Sequence, residues 1–375
     1  MSNYILLNRI EVQNANAIAG FTWGFPAITH FLGFVHNLSR KLSNTIYNDI
    51  TLSGCAVISH NHQAHIYHAG DIRFTQTRNP PYLASHNKKD APPIIEEGKM
   101  NMTVSLIIKF DGNIGNRQNN FINWLKNSCY LQRLAGGTIL NIKDINIYTL
   151  NEENLKTIKR KLLPGFVLID RSQYLAEHYQ KLQQNNQNIE LLDAWLDFIK
   201  LQQYARPKSN LLDKHILESK DEDLIAKWYK HLEKKYEQDT IPSEIKNYFT
   251  NIDNKKLSRQ WQEYCNPNEN TDANWQYLPK PKHGYLVPIM TGYKAISKEY
   301  SNGKIANTRD NKTDVYFVEA VHSIGEWLSA HRLTMGDFKT ILWHYDYQKN
   351  WYLCKQQDDN QQNDNTVYKD PEDDY

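Results

Sequence analysis

Two hydrophobic periods alternate across the first 150 residues, and that alternation restricts what the chain can fold into more than any other feature. Tyr4 to Val12 reads as a strand, with Tyr4, Leu6, Ile10 and Val12 on one face at period two and Asn8 as the exception. Ile28, Phe31, Leu32, Val35, Leu38 and Leu42 then recur at three- and four-residue spacing. This is the stripe of an amphipathic helix packed on a sheet, and Pro26 suits its first turn. Thr51 to Ser59 is a second strand, with Ala64 to Ala69 as its hairpin partner or extension. Val104, Leu106, Ile108 and Phe110 alternate through a third strand, Met102 to Phe110. Phe121 to Leu134 is a second helix, Ala135-Gly136-Gly137 breaks it, and Thr138 to Leu150 supplies one or two more strands.

The order strand, helix, strand, strand, helix, strand predicts an α+β fold of the ferredoxin-like type shared by RRM domains, an antiparallel sheet with helices. Asp71 to Gly98 interrupts it with paired prolines and little periodicity. We expect a long excursion from the sheet over about 71–100, of the kind that is functional or disordered. The stripes Leu191, Leu192, Trp195, Phe198, Ile199 and Leu224, Ile225, Trp228, Leu232 predict a helical insertion or subdomain over 151–280. Residues 281–357 return to strand character. There Thr334-Met-Gly-Asp337 is a capping-box pattern expected to open a final helix through Phe338, Ile341, Leu342 and Trp343.

Charge is distributed unevenly. Residues 358–375 hold seven acids against Lys369, a tail of −6 expected to be disordered, and the net charge of +2 leaves the rest at +8. A basic body is compatible with a polyanionic partner. The four cysteines, Cys55, Cys129, Cys265 and Cys354, are scattered. They make neither a disulfide framework nor a cysteine zinc site, and they fit a reducing cytoplasm. No signal-like core and no stretch of about 20 apolar residues occurs, so a soluble, cytoplasmic protein without membrane contact is expected. G-x-S-x-G, H-E-x-x-H and Walker motifs are absent, which favours a binding protein over an enzyme, and no cofactor is implied.

Several residues have a bland and a functional reading. Gly136-Gly137 either ends a helix or lets backbone N–H groups approach a phosphate. Arg133 before it is either a helix C-terminal cation or a phosphate partner. Arg73, Phe74 and Arg78, with Lys88, Lys89 and Lys99 further along the excursion, form a solvated loop or a surface that stacks on and pairs with single-stranded bases. Trp23 and Phe25 precede a core helix, where aromatics more often pack than stack on bases. Asn14 and Asn16 either make a turn or read a base edge. His60, His62, His65 and His68 alternate across two strand faces with no acid or cysteine to complete a set, so no metal site is expected. His30 and His36, six residues apart on one helix, are core or interface histidines or the acid and base of an RNA-cleaving protein.

An ordered set of short runs resembles one family. These are Asn14-Ala15-Asn16, Thr22-Trp-Gly-Phe-Pro-Ala27, Phe31-Leu-Gly-Phe-Val-His36 with Arg40-Lys41, Phe74-Thr-Gln-Thr-Arg-Asn-Pro80, Glu96-Glu97-Gly98, Arg133-Leu-Ala-Gly-Gly-Thr138, Gly325-Glu-Trp327, His331-Arg332 and Leu342-Trp343. Together they resemble the second subunit of the Csy complex, the Cas-five-type RAMP protein of type I-F CRISPR systems. The resemblance covers residues 4 to about 354, is weak over 151–280, and excludes the tail. It implies an RRM-like body with a thumb-like hairpin that binds the 5′ handle of CRISPR RNA without catalysis. It also implies pairing with the large subunit, contact with the first backbone subunit, and target DNA met through the assembled complex. The residues it marks for RNA are Asn14, Asn16, Trp23, Arg40, Arg73, Phe74, Arg78, Lys88, Lys89, Arg133, Gly136, Gly137, His331 and Arg332. A metal-independent endoribonuclease of the same superfamily, working through His30 and His36, is the alternative.

Overall fold

The computed structural model describes residues 3–78, 93–233, 241–250, 252–308, 310 and 312–356. The chain is α+β, with a large antiparallel sheet and about ten helices. It divides into two compact units, Met1–Phe198 with His283–Tyr375, and Ile199–Lys282. Residues 151–198 therefore go with the first unit. The second unit is the shorter stretch that follows them.

The main sheet has ten strands: β1 (Asn3–Asn16), β2 (Thr51–Ala64), β3 (Lys99–Asp111), β4 (Arg133–Leu134), β5 (Gly137–Thr149), β6 (Phe166–Asp170), β7 (Leu286–Ala295), β8 (Val318–Ser329), β9 (Trp343–Gln348) and β10 (Trp351–Gln356). Their spatial order is β6-β8-β7-β10-β9-β2-β3-β1-β5-β4, and β6 also pairs with β2, so the later strands curl back on the earlier ones. The helices are α1 (Ile28–Leu42), α2 (Gln118–Tyr130), α3 (Glu152–Leu162), α4 (Ser172–Asn185), α5 (Leu191–Ile199), α6 (Asn210–Glu218), α7 (Glu222–Glu233), α8 (Ser243–Thr250), α9 (Lys255–Cys265) and the single turn α10 (Asp337–Thr340).

Both faces of the sheet are used. On one, Ile5, Leu7, Ile10 and Val12 of β1 pack with Phe31, Leu32, Val35 and Leu38 of α1 and Phe121 and Leu125 of α2. Each such fully buried side chain stabilises the fold by roughly 1.5–3 kcal/mol. On the other, Tyr4 and Leu6 pack with Ile158 and Leu162 of α3 and with Phe338, Ile341 and Leu342. The expectation that Tyr4, Leu6, Ile10 and Val12 share one face is thus overturned. The pairing of β1 with β3 skips between Leu7 and Ile10, and Arg9 sits at φ 50°. This bulge inserts residues that reverse the alternation. After it, Ile10 and Val12 face α1 and α2, while Glu11 and Gln13 are exposed on the opposite side.

The final helix is also shorter than expected. Asp337 Oδ2 accepts from the Thr334 backbone N–H at 2.6 Å and from its hydroxyl at 2.7 Å, so the capping contact forms. Yet α10 ends at Thr340, and Trp343 opens β9 with its indole N–H donated to the Leu168 carbonyl at 3.2 Å. The expected excursion holds a three-stranded antiparallel sheet of Ile66–Ala69, Asp71–Arg78 and Ile94–Glu97. Lys88, Lys89 and the acidic tail lie outside the described residues. In the second unit, α6 to α9 close over Trp228, Phe249 and Trp261, the last two stacked at 4.6 Å. No helix among the described residues is long and apolar enough to cross a membrane.

Candidate nucleic-acid interface

The C-terminal end of β1 gathers seven of the fourteen residues singled out from the sequence. Leu134 and Gly137 pair directly, with Ala135 at φ 49° and Gly136 at φ 75° between them. Positive φ at both central residues is the signature of the tight hairpin turn that matches strand twist. The Gly-rich segment is therefore the turn of the β4–β5 hairpin, and α2 has already ended at Tyr130. Gly137 lies against β1 so closely that a Cβ would sit 2.6 Å from Val12 Cγ1 and 2.7 Å from the Gln13 carbonyl oxygen. Nothing crowds Gly136, whose open side lets a ligand approach backbone. The exposed Arg133 reaches back to the Gly136 carbonyl at 3.3 Å, holding its guanidinium over the turn.

Asn16 ties this hairpin to β1 and to the segment after it. Its backbone N–H donates to the Ala135 carbonyl at 2.8 Å. Its side chain is committed locally, accepting from the Ile18 N–H at 3.1 Å and donating to the Ile18 carbonyl at 2.9 Å. Asn14 differs: it is exposed at φ 55°, and only its backbone N–H is engaged here, by Asn101 Oδ1 at 3.1 Å. Of the two asparagines, Asn14 has the geometry to read a ligand and Asn16 shapes the turn.

Trp23 and Phe74 come together, with ring centroids 4.3 Å apart. The Trp23 ring also covers Gly98, where a Cβ would come within 3.0 Å of it, and the Gly98 carbonyl accepts from the Ala17 N–H at 2.8 Å. This aromatic pair fastens the root of the excursion to β1, and 42% of Trp23 is still exposed. Phe25 instead stacks on Phe31 in the core at 5.5 Å. Arg73 and Arg78 are exposed on the excursion strand, five residues apart and so on opposite faces. Arg73 has Asp71 at 3.7 Å.

Beside this end lies a shallow polar groove of about 240 Å³ on the sheet face turned away from α1 and α2. Glu11, Gln13, Asn61, Gln63, Asn101 and Thr103 line it, over Val12, Met102 and Leu140. Sequence reasoning passed over these residues. Their signal was the polar alternation of Asn101 and Thr103 with Met100 and Met102 at the start of β3. Further along the same strands, buried Ser105 accepts from the Arg9 N–H at 2.8 Å and meets His60 Nε2 at 2.7 Å. His60 Nδ1 lies 2.7 Å from the Pro164 carbonyl, which requires the proton on Nδ1. The neutral ring then accepts from Ser105 at Nε2. Burial is the largest influence on His60 and lowers its pKa. Asn8 donates to Asp144 at 3.0 Å, and Lys161 pairs with the same carboxylate at 2.9 Å.

Other predicted residues lie elsewhere. Arg40 is in the last turn of α1, about 18 Å along the helix axis from the first turn that follows Trp23. His331 and Arg332 are exposed on the turn after β8, where His331 Nδ1 and Ser329 Oγ are 2.8 Å apart. His30 and His36 face different surroundings. Burial lowers the pKa of His30, whereas exposed His36 packs edge-on to Tyr345 at 6.1 Å. His60 is engaged as described, His62 and His68 are exposed, and no group of three potential metal ligands comes together among the described residues. Burial pushes the Cys129 and Cys354 thiols up to about 12.

Two comparisons with known proteins agree. A family model described as CRISPR-associated protein (Cas_Csy2) matches residues 5–354. The chain is also 30% identical over 360 residues to the CRISPR-associated protein Csy2 of Pseudomonas aeruginosa (strain UCBPP-PA14), a match that covers 91% of this chain and 90% of that protein.

Proposed function

The chain belongs to the CRISPR-associated Csy2 family, and from that premise we propose that it is a non-catalytic subunit of a type I-F RNA-guided surveillance complex that grips the 5′ handle of the guide RNA. In this reading its first 150 residues are a ferredoxin-like, RRM-type body. The spatial order β2-β3-β1-β5 within the main sheet supports that assignment. It pairs with the large subunit, abuts the first backbone subunit, meets target DNA through the assembly and works in the cytoplasm.

The observation that carries the reading is the convergence of Asn14, Trp23, Phe74, Arg133 and Gly136 at one end of β1, beside a polar groove. These groups suit an unpaired RNA end. Arg133 and the open backbone at Gly136 take phosphate, Trp23 offers a ring for a splayed base, and the asparagine and glutamine amides of the groove match base edges. Arg78 and the excursion extend the cationic surface, while Arg40, His331 and Arg332 face other subunits or more distant phosphates.

The test is titration of the chain, co-purified with its large subunit, with 5′-labelled guide RNA carrying an intact or a scrambled handle. Tight, salt-sensitive binding to the intact handle alone, with the RNA left uncut, is expected. Equal binding to both RNAs reduces the protein to a generic RNA-binding module. Cleavage of precursor RNA that is lost on replacing His30 and His36 makes it a nuclease.

A further inference from the structure

The elements that cover the first half of β1 carry a second charged surface, all of it in the first unit. Ile158 and Leu162 of α3 face the sheet and pack with Ala330, Leu333, Phe338 and Ile341. Lys159 reaches sideways from the same helix, its Nζ donating to the Leu333 carbonyl at 2.8 Å. The last turns of α3, the turn after β8 and α10 are thus neighbours. Their outer side carries Lys156 and Arg160, one helical turn apart, with Arg332 next to Leu333 and Lys339 on α10. All four are exposed, and none of their charged groups meets a carboxylate among the described residues. The acids nearby are committed elsewhere. Asp337 accepts from Thr334, Asp144 pairs with Lys161, and Glu152 and Glu153 lie in the first turn of α3, away from Arg160.

The described residues end against this surface. Gln356, the last of β10, donates its Nε2 to the Ile341 carbonyl at 2.8 Å, two residues beyond Lys339. Residues 357–375 follow, with seven acids against Lys369. Fully extended they span up to about 60 Å, several times the length of α3, about 16 Å. Four cations without acid partners therefore stand where a strongly acidic segment leaves the sheet. The tether keeps those acids near them at a roughly millimolar effective concentration, an advantage that no free acidic partner has.

We propose that the acidic segment 357–375 docks on the surface formed by Lys156, Arg160, Arg332 and Lys339, and so keeps nucleic acid off it in the free chain. Phosphates or subunits that reach Arg332 in the assembly displace the segment. The docking is electrostatic and is weakened by salt.

The test is carbodiimide cross-linking of the full chain, as a mixture of light- and heavy-isotope copies, read by peptide mass spectrometry. The reagent joins a carboxyl to a lysine amine in contact with it. Links from Asp370, Glu372, Asp373 or Asp374 to Lys156 and Lys339 within one copy are expected, and their loss in about 1 M salt, where attraction is screened beyond about 3 Å. Links from these acids to other lysines instead, or to none, overturn the docking. Links only between light and heavy copies also overturn it and give the surface to a second copy. Scrambled-handle RNA supplies a second readout. A full-length variant with the seven acids changed to asparagine or glutamine should bind it about tenfold or more tighter than the parent at about 50 mM salt. Lys156→Ala, Arg160→Ala, Arg332→Ala and Lys339→Ala together should cancel that gain. All four positions are exposed, so melting curves should match the parent. Equal affinity of parent and neutralised variant overturns the shielding, as does a gain that survives the four substitutions and so reflects net charge alone. The cross-links need no RNA, so failure of the docking and failure of the handle reading are told apart.

Discussion

The two halves of β1 share a strand but not an environment. From Tyr4 to Leu7 every side chain is buried, on one face beneath α1 and α2 and on the other beneath α3 and the turn leading to α10. From Ile10 to Asn14 only the first face is covered, and Glu11, Gln13 and Asn14 are exposed. The bulge at Asn8–Arg9 divides them. A sheet face that a helix leaves open keeps polar residues available to a ligand, whereas a covered face can serve only stability. The first half should therefore answer mutation in folding free energy, and the second in RNA binding.

The largest effect is expected at the cover. Phe338, fully buried and edge-on to Tyr4 at 5.9 Å, should cost about 3–5 kcal/mol as Phe338→Ala in urea unfolding of the first unit. A loss below about 1 kcal/mol would mean the second face is not packed as described. Next comes Gly137→Ala, whose Cβ would meet the backbone of Gln13 and Ala15. Overpacking of this kind costs about 1–3 kcal/mol. It should also weaken handle binding, because the hairpin must move away from β1. Ser105→Ala, at the divide, should cost about 1–3 kcal/mol by stranding the part-buried Arg9 N–H and His60 Nε2.

Acid should act in the same place. Burial lowers the pKa of His60 below its usual 6.5, and lowers those of His30, His322 and His344 as well. The unfolded chain then binds protons more readily than the folded one. Stability is fully present above the unfolded value and is lost as pH falls below it toward the folded values. The melting temperature should drop between about pH 8 and about pH 5.5, and less steeply in His60→Gln. The smallest stability effect belongs to the open half. Gln13→Ala and Asn61→Ala should stay within about 0.5 kcal/mol of the parent while lowering affinity for handle RNA. Equal affinity in both variants would disconnect the groove from RNA.

How far the fold could be read in advance follows the same divide. The helix stripes and the alternation in β3 are plain, because each is a local period that needs no distant partner to be seen. The parity of β1 was not. Asn8 and Arg9 look like one polar exception in a regular strand, and only the partner strand reveals that they add a step. Trp343 reads as helical because Phe338, Ile341 and Leu342 lead to it at helical spacing, although it opens a strand that pairs with β10 and, at Trp343 itself, with distant Cys55. At the site, Trp23, Phe74 and Arg133 were recognisable by residue type and motif. Gln13, Asn61 and Asn101 were not, since amides on a strand look the same over water as over a ligand. Arg40 and His331 stood out equally in the sequence, and the fold carries them away from the end of β1.

The most direct test of this account is a hydrogen-exchange map of the chain, in complex with its large subunit, with and without guide RNA. New protection is expected at residues 11–17, 98–103 and 133–140, with the last turn of α1 unchanged. Protection confined to α1 near Arg40 or to the turn at His331, with the end of β1 exchanging as before, would contradict it.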